Sequence, residues 1–199
     1  MYIIMKKIAF TVIALFAIGS TAFSQDARNF GWGVKAGLNV SSISKISADA
    51  KAGFTAGLFA DYRFNDWFGA SVDLLFSRQG AKYKQGDEIT MKTNYLNIPI
   101  LANFYVWNDL AFKIGIQPSI FLSAKNKGTI DGQDVTVSTS DGYKGADFAF
   151  PIGLSYEFFH KLILDARYNI GVANVFKGDV MDGLKAKNNY FTISVGYRF

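Results

Sequence analysis

Four carboxylates, Asp61, Asp73, Glu157 and Asp165, stand inside otherwise apolar runs, and convergent pairs of such acids are the usual machinery of general acid–base chemistry. Cations occupy matching positions in runs of the same kind: Lys35, Arg63, Lys113, Arg167 and Arg198. A catalytic dyad needs acids that converge away from such partners, so ion pairing is the expected state of these groups. The sequence holds one histidine, His160, and no cysteine, which excludes disulfides, zinc–thiolate sites and thiol catalysis. No glycine-rich loop follows a strand and opens a helix, so nucleotide binding has no support. No catalytic residue, cofactor or metal site is expected.

The elements that must position these charges are strands, because the dominant hydrophobic period is two. Over Phe30 to Asn39, the positions Phe30, Trp32, Val34, Ala36 and Leu38 are apolar and alternate with Gly31, Gly33, Lys35, Gly37 and Asn39. The same dyad recurs from Phe54 to Phe64, from Phe68 to Ser77, from Tyr95 to Val106 and from Leu110 to Ser123. It returns from Phe148 to Phe158, from Leu162 to Val172 and from Phe191 to Phe199, making eight strands. The charged residues all fall on the polar face of these strands, and Ser123 is assigned to that face as well. Pro99 lies within the fourth strand and donates no hydrogen bond, so a bulge or an unpaired site is expected there.

Each strand matches the roughly 9–11 residues that a tilted transmembrane strand needs. Short turns fall at Asn65-Asp66, around Asn108-Asp109 and at His160-Lys161, and longer polar segments at 41–52, 78–93, 124–146 and 174–188. Short periplasmic turns with longer extracellular loops are the pattern of outer-membrane barrels. Trp32, Trp67 and Trp107, with Tyr197 and Phe199, gather at the short-turn end, where amphipathic rings would form a membrane-interface girdle. An open sheet cannot sit in hydrocarbon with unpaired edges, so the strands must close. A cation at mid-membrane on the lipid face costs about 2–4 kcal/mol. Lys35, Asp61, Arg63, Asp73, Lys113, Glu157, Asp165, Arg167 and Arg198 are therefore assigned to the lumen as one ionic network. Eight strands leave an interior that side chains fill, which disfavours a wide pore. The expected fold is an all-β, eight-stranded antiparallel up-and-down transmembrane β-barrel over residues 25–199.

Residues 1–24 read as a signal peptide: Lys6 and Lys7 precede the apolar run Ile8 to Ile18, and Ala22-Phe23-Ser24 offers a small-x-small cleavage site. Their removal lowers the formal charge from +5 to +3. With no basic stripe interleaved with aromatics, no nucleic-acid partner is expected. Arg78 and Lys82 fall on the lipid-side parity and are placed above the membrane or past a bulge. Lys82, Lys84, Lys92, Lys177, Lys185 and Lys187 are candidates to meet lipopolysaccharide phosphates.

The fourth strand, Tyr95-Leu96-Asn97-Ile98-Pro99-Ile100-Leu101, resembles the tyrosine-leucine-acid-isoleucine-proline signature of the porin-family or PorT-like outer-membrane β-barrel domain, with Asn97 where that signature has an acid. Further resemblance lies in Gly115 to Leu122, Ile152 to Glu157 and Leu164 to Tyr168. The closing Val195-Gly196-Tyr197-Arg198-Phe199 is similar to the aromatic final strand that the outer-membrane assembly machinery reads. The resemblance implies a Gram-negative outer-membrane domain, and PorT itself is linked to protein secretion and surface export. Small barrels that modify lipid A rely on a histidine near the outer leaflet, whereas His160 is expected in a periplasmic turn. The functional expectation is a non-enzymatic barrel serving envelope structure, adhesion or docking of an unidentified envelope or secretion partner. An outer-leaflet lipid-modifying enzyme, a narrow solute channel and a soluble periplasmic ligand-binding barrel are the alternatives.

Overall fold

The computed structural model describes residues 29–43, 49–85, 87–107, 109–130, 133–139, 144–173 and 187–199. The expected signal peptide and most of the last polar segment lie outside these. Alternating residues build ten strands: β1 (Phe30–Ile43), β2 (Asp49–Arg63), β3 (Phe68–Gln85), β4 (Asp87–Asn97), β5 (Ile100–Trp107), β6 (Leu110–Ile130), β7 (Gln133–Ser138), β8 (Ala146–Phe158), β9 (Leu162–Gly171) and β10 (Asn188–Arg198). β4 and β5 run in line between β3 and β6, and β7 and β8 pair successively with β6, so ten strands make eight staves. All pairings are antiparallel, and β1 closes on β10 from Gly33↔Arg198 to Ile43↔Asn188. Closure removes the edge that an open sheet would expose.

The side chains sort as a membrane barrel requires. Trp32, Val34, Leu38 and Val40 of β1 are exposed, while Lys35, Asn39 and Ser41 are buried. The apolar outer face from Trp32 to Val40 covers about 20 Å of height at roughly 3.3 Å per residue and a tilt near 40°, close to the approximately 25 Å apolar band of such barrels. The core therefore lies inside the cylinder and is largely polar; its fully buried side chains include Arg167, Tyr95, Gln79, Asn39, Asp73 and Asp165.

Three of the four expected long loops are in large part strand. Pairing continues to Ser41↔Lys51 between β1 and β2, to Gln85↔Asp87 between β3 and β4, and to Ile130↔Gln133 between β6 and β7. Beyond the apolar band the outward face no longer needs to be greasy, so the alternation fades while ladder hydrogen bonding persists. At the opposite end the turns are tight. Asn65 Oδ1 accepts from the backbone N–H groups of Trp67 (3.1 Å) and Phe68 (2.8 Å). Lys161 N–H donates to Phe158 O at 3.1 Å, with Phe159 (φ 54) and His160 (φ 56) both left-handed, as primed hairpin turns require.

Pro99 separates β4 from β5 but inserts no residue. The registers on either side agree, Leu75↔Asn97 with Val72↔Ile100 on one flank and Asn97↔Ser119 with Ile100↔Ile116 on the other. Asp73 N–H donates to Pro99 O and Ile98 N–H to Pro118 O, both at 2.9 Å, while the two prolines return no N–H. Pro99 thus interrupts the ladder without the bulge. A bulge occurs instead where Asn94↔Ser123 is followed by Tyr95↔Phe121, leaving Leu122 unpaired. That extra residue inverts the parity of β6, so Ala124 is buried and Ser123 joins Asn94 on the outer face, against the lumen placement expected for it.

Candidate functional site

The chemistry of this molecule is concentrated in the lumen, in layers set by strand position. Lys35 of β1, Asp73 of β3, Lys113 of β6, and Asp165 and Arg167 of β9 converge from four staves. Asp73 Oδ2 accepts from Lys35 Nζ and from Arg167 Nη2, each at 2.9 Å. Asp165 Oδ2 accepts from Lys113 Nζ at 3.2 Å and lies 3.8 Å from Lys35 Nζ. Arg167 Nε lies 2.6 Å from Asp165 Oδ1, an ion pair whose angle is not that of a hydrogen bond. Room for these long side chains comes from their ladder neighbours. Lys35 is flanked by Gly57 and Gly196, and Gly153 lies between Lys113 and Arg167. A Cβ on Gly153 would meet Arg167 Cγ at 2.7 Å.

Toward the turn end a second layer joins Arg198 Nη2 to Asp61 (2.8 Å) and Glu157 (2.9 Å). The central layer holds one cation in excess and this layer one acid in excess, so together they balance. Between them lies a cavity of ≈ 20 Å³, bordered by Lys35, Asp61, Asp73, Lys113, Glu157 and Arg198. That is room for about one water. Arg63 stands apart from the network it was assigned to. Its guanidinium caps the mouth over the Tyr105 ring at 3.9 Å, donates to Asp66 O at 2.7 Å and pairs with Asp109 at 3.9 Å.

Toward the hairpin end the lumen is filled by neutral amides and hydroxyls. Tyr190 OH accepts from Asn97 Nδ2 at 3.1 Å and from Gln117 Nε2. Asn39 donates to Ser77 (2.8 Å), Thr192 Oγ1 donates to Asn39 Oδ1 (2.8 Å), and Asn188 Nδ2 donates to Gln79 Oε1. Asn97 therefore has a partner without the acid that its motif would carry. Lys51 is buried above this layer and donates to Met91 O at 3.0 Å.

Parity alone selects the lumen charges. It misses Asp109, which sits in a turn, and Lys51, which lies in a segment too polar to read as strand. It does place Asn39, Asn97, Gln117 and Asn169 on the lumen face, where they are buried, but not their joining into an amide layer. Among the described residues no group of three His, Asp or Glu side chains could hold a metal. His160 is in the turn between β8 and β9, beyond the last ladder pair Phe158↔Leu162 and outside the Asp73 and Asp165 layer.

Outside the barrel, Trp32, Trp67, Trp107, Tyr197 and Phe199 are exposed at the turn end. Trp32 packs on Phe199 at 4.8 Å and Tyr197 on Phe199 at 5.6 Å, while Trp67 contacts Phe68 at 5.6 Å. At the hairpin end Arg78 is exposed on the outer face, and the ladder between β3 and β4 continues past it without a shift of register. Of the lysines expected to face lipopolysaccharide, Lys92 and Lys187 lie among the described residues; Lys177 and Lys185, and the side chains of Lys82 and Lys84, do not.

Residues 23–177 match the family described as outer membrane protein beta-barrel domain. No curated protein matches the chain. Solved structures share the fold. The attachment invasion locus protein Ail of Yersinia pestis, in complex with the heparin analogue sucrose octasulfate, aligns with TM-score 0.51 at 18% identity over 86% of this chain and 99% of its own. Neisserial surface protein A aligns with TM-score 0.50 at 16% identity over 85% and 97%.

Proposed function

This chain belongs to the outer membrane protein beta-barrel domain family of the Gram-negative outer membrane, and we propose that within it the chain is a sealed, non-enzymatic platform for surface attachment or docking. The observation that supports this most is the central ionic layer. Its five side chains come from four staves and are almost wholly excluded from solvent, and an amide layer stacks above them. A solute path would need these pairs broken, at several kcal/mol for each buried charge left alone. The acids are each engaged by cations, and His160 sits at the end away from the long hairpins, so neither is placed for work on outer-leaflet lipid.

In the proposed orientation the tight turns face the periplasm and the hairpins β1–β2, β3–β4 and β6–β7 project outward, as in other barrels of this kind. Ail, an attachment protein by name, supports an attachment role on the shared fold. The resemblance of the Tyr95-Leu96-Asn97-Ile98-Pro99 strand to PorT-like domains supports a narrower reading, docking to a secretion partner, since PorT itself is linked to protein secretion. The final aromatic strand supports handling by the outer-membrane assembly machinery. Planar-bilayer recordings of the purified protein test the sealed lumen: no stable conductance is expected, and large long-lived openings would overturn it. Affinity capture from gently solubilised outer membrane separates the docking readings, since recovery of secretion components favours the PorT-like one.

A further inference from the structure

The outer face at the hairpin end contains a like-charge pair that no described residue neutralises. Lys92 of β4 and Lys125 of β6 are directly opposite in the ladder. Met91, Thr93 and Ala124 beside them are buried, so both lysines point outward. Like charges facing each other across a sheet are unfavourable. One row nearer the membrane, Arg78, Asn94 and Ser123 are consecutive ladder partners on the same face. They form a chain: Arg78 Nε donates to Asn94 Oδ1 at 3.3 Å, and Asn94 Nδ2 donates to Ser123 Oγ at 2.9 Å. Arg78 also lies over the Phe54 ring at 5.3 Å, which steadies the guanidinium while leaving its terminal nitrogens available. Among the described residues no carboxylate pairs with Arg78, Lys92 or Lys125. The next row toward the membrane is apolar: Phe54, Phe76 and Leu96 lead into the lipid-facing band.

We propose that Arg78, Lys92 and Lys125 bind the phosphorylated headgroup of an outer-leaflet lipid, with Asn94 and Ser123 holding the arginine and with its acyl chains lying on the apolar face below. Three cations supply the counter-charge for a phosphate, and the arginine adds a planar donor fork suited to its oxygens. The bulge at Leu122 is what makes the site, because it turns Ser123 and Lys125 outward; unbroken alternation would place both in the lumen. The lipid, rather than a free anion, is favoured by the apolar row immediately beneath. The outer leaflet follows from the orientation proposed above.

The test uses the full chain in phosphatidylcholine nanodiscs, titrated with fluorescent bisphosphorylated lipid A. The triple variant Arg78→Gln, Lys92→Gln, Lys125→Gln should bind at least tenfold more weakly, while Lys161→Gln, at the turn end, should bind as wild type. Heat-modifiable gel migration verifies that each variant is folded. A second variant, Lys125→Glu, separates binding from folding. It should raise the urea midpoint in phosphatidylcholine by relieving the repulsion, yet lower the gain in midpoint on adding lipid A. Unchanged lipid A binding by the folded triple variant would overturn the site, and competition by inorganic pyrophosphate at the concentration of lipid A would overturn the lipid. These readouts do not depend on orientation, which is read separately by labelling Lys92→Cys on intact cells with an impermeant maleimide; exclusion of the reagent would overturn the assignment to the outer leaflet.

Discussion

Asp73 shows most clearly how much depends on single residues in the lumen. One of its oxygens accepts from both Lys35 and Arg167, so its loss leaves two buried cations short of a counter-charge. A buried ion pair adds little net stability over an apolar replacement of both partners, but removing one partner is expensive. Asp73→Ala should therefore destabilise the barrel by about 3–5 kcal/mol, read as a lowered urea midpoint of tryptophan fluorescence in lipid vesicles. Ser71→Ala, one inward position away, loses only a neutral hydrogen bond to Asn103 and should cost about 1 kcal/mol. At the turn between β8 and β9 the sign reverses. Phe159 and His160 hold left-handed backbones that cost a side-chain-bearing residue about 1–2 kcal/mol each. Replacing them with Asn-Gly should raise the same midpoint, and a lowered one would mean that the exposed Phe159 ring makes a stabilising contact with the membrane.

The strands themselves were legible because lipid on one side and a packed lumen on the other enforce period two. Where that contrast ends, so does the signal. The extensions of β3, β4, β6 and β7 beyond the apolar band carry residues such as Lys84, Lys92 and Thr136 on strands that composition marks as loop. Excising residues 81–91 and joining the stubs with a two-residue Asn-Gly turn should leave a heat-modifiable barrel, because the removed ladder lies past the membrane-spanning part. Bulges were equally hidden. Nothing in the residue types around Leu122 announces the extra residue that moves Ser123 outward, since register is a property of two strands together. Pro99 announced a break, but proline marks only a missing donor, and the neighbouring Pro118 shares that deficit without any slip of register.

For the whole molecule, the sorting of side chains was readable in full for the charged residues of the spanning strands and only in part for the rim. Lys35, Asp73, Lys113, Asp165 and Arg167 share one parity and one layer. Arg63 shares the parity but reaches the mouth, where distance along the barrel, invisible to alternation, decides its partner. The cost of violating the sorting follows from depth. Ala36→Arg, on the outer face between Trp32 and Val40, should destabilise by about 2–4 kcal/mol, whereas at the interfacial depth of Trp32 an arginine itself costs no more than about 1 kcal/mol. Absence of cysteine makes the sorting directly measurable, because every introduced thiol is the only one. Single cysteines at Ala36, Leu38, Asn39, Val40 and Ser41 of the bilayer-embedded protein can be reacted with a lipid-soluble maleimide. Fast labelling is expected at 36, 38 and 40 and protection at 39 and 41; equal labelling of both sets would contradict a closed barrel with its polar groups sealed inside.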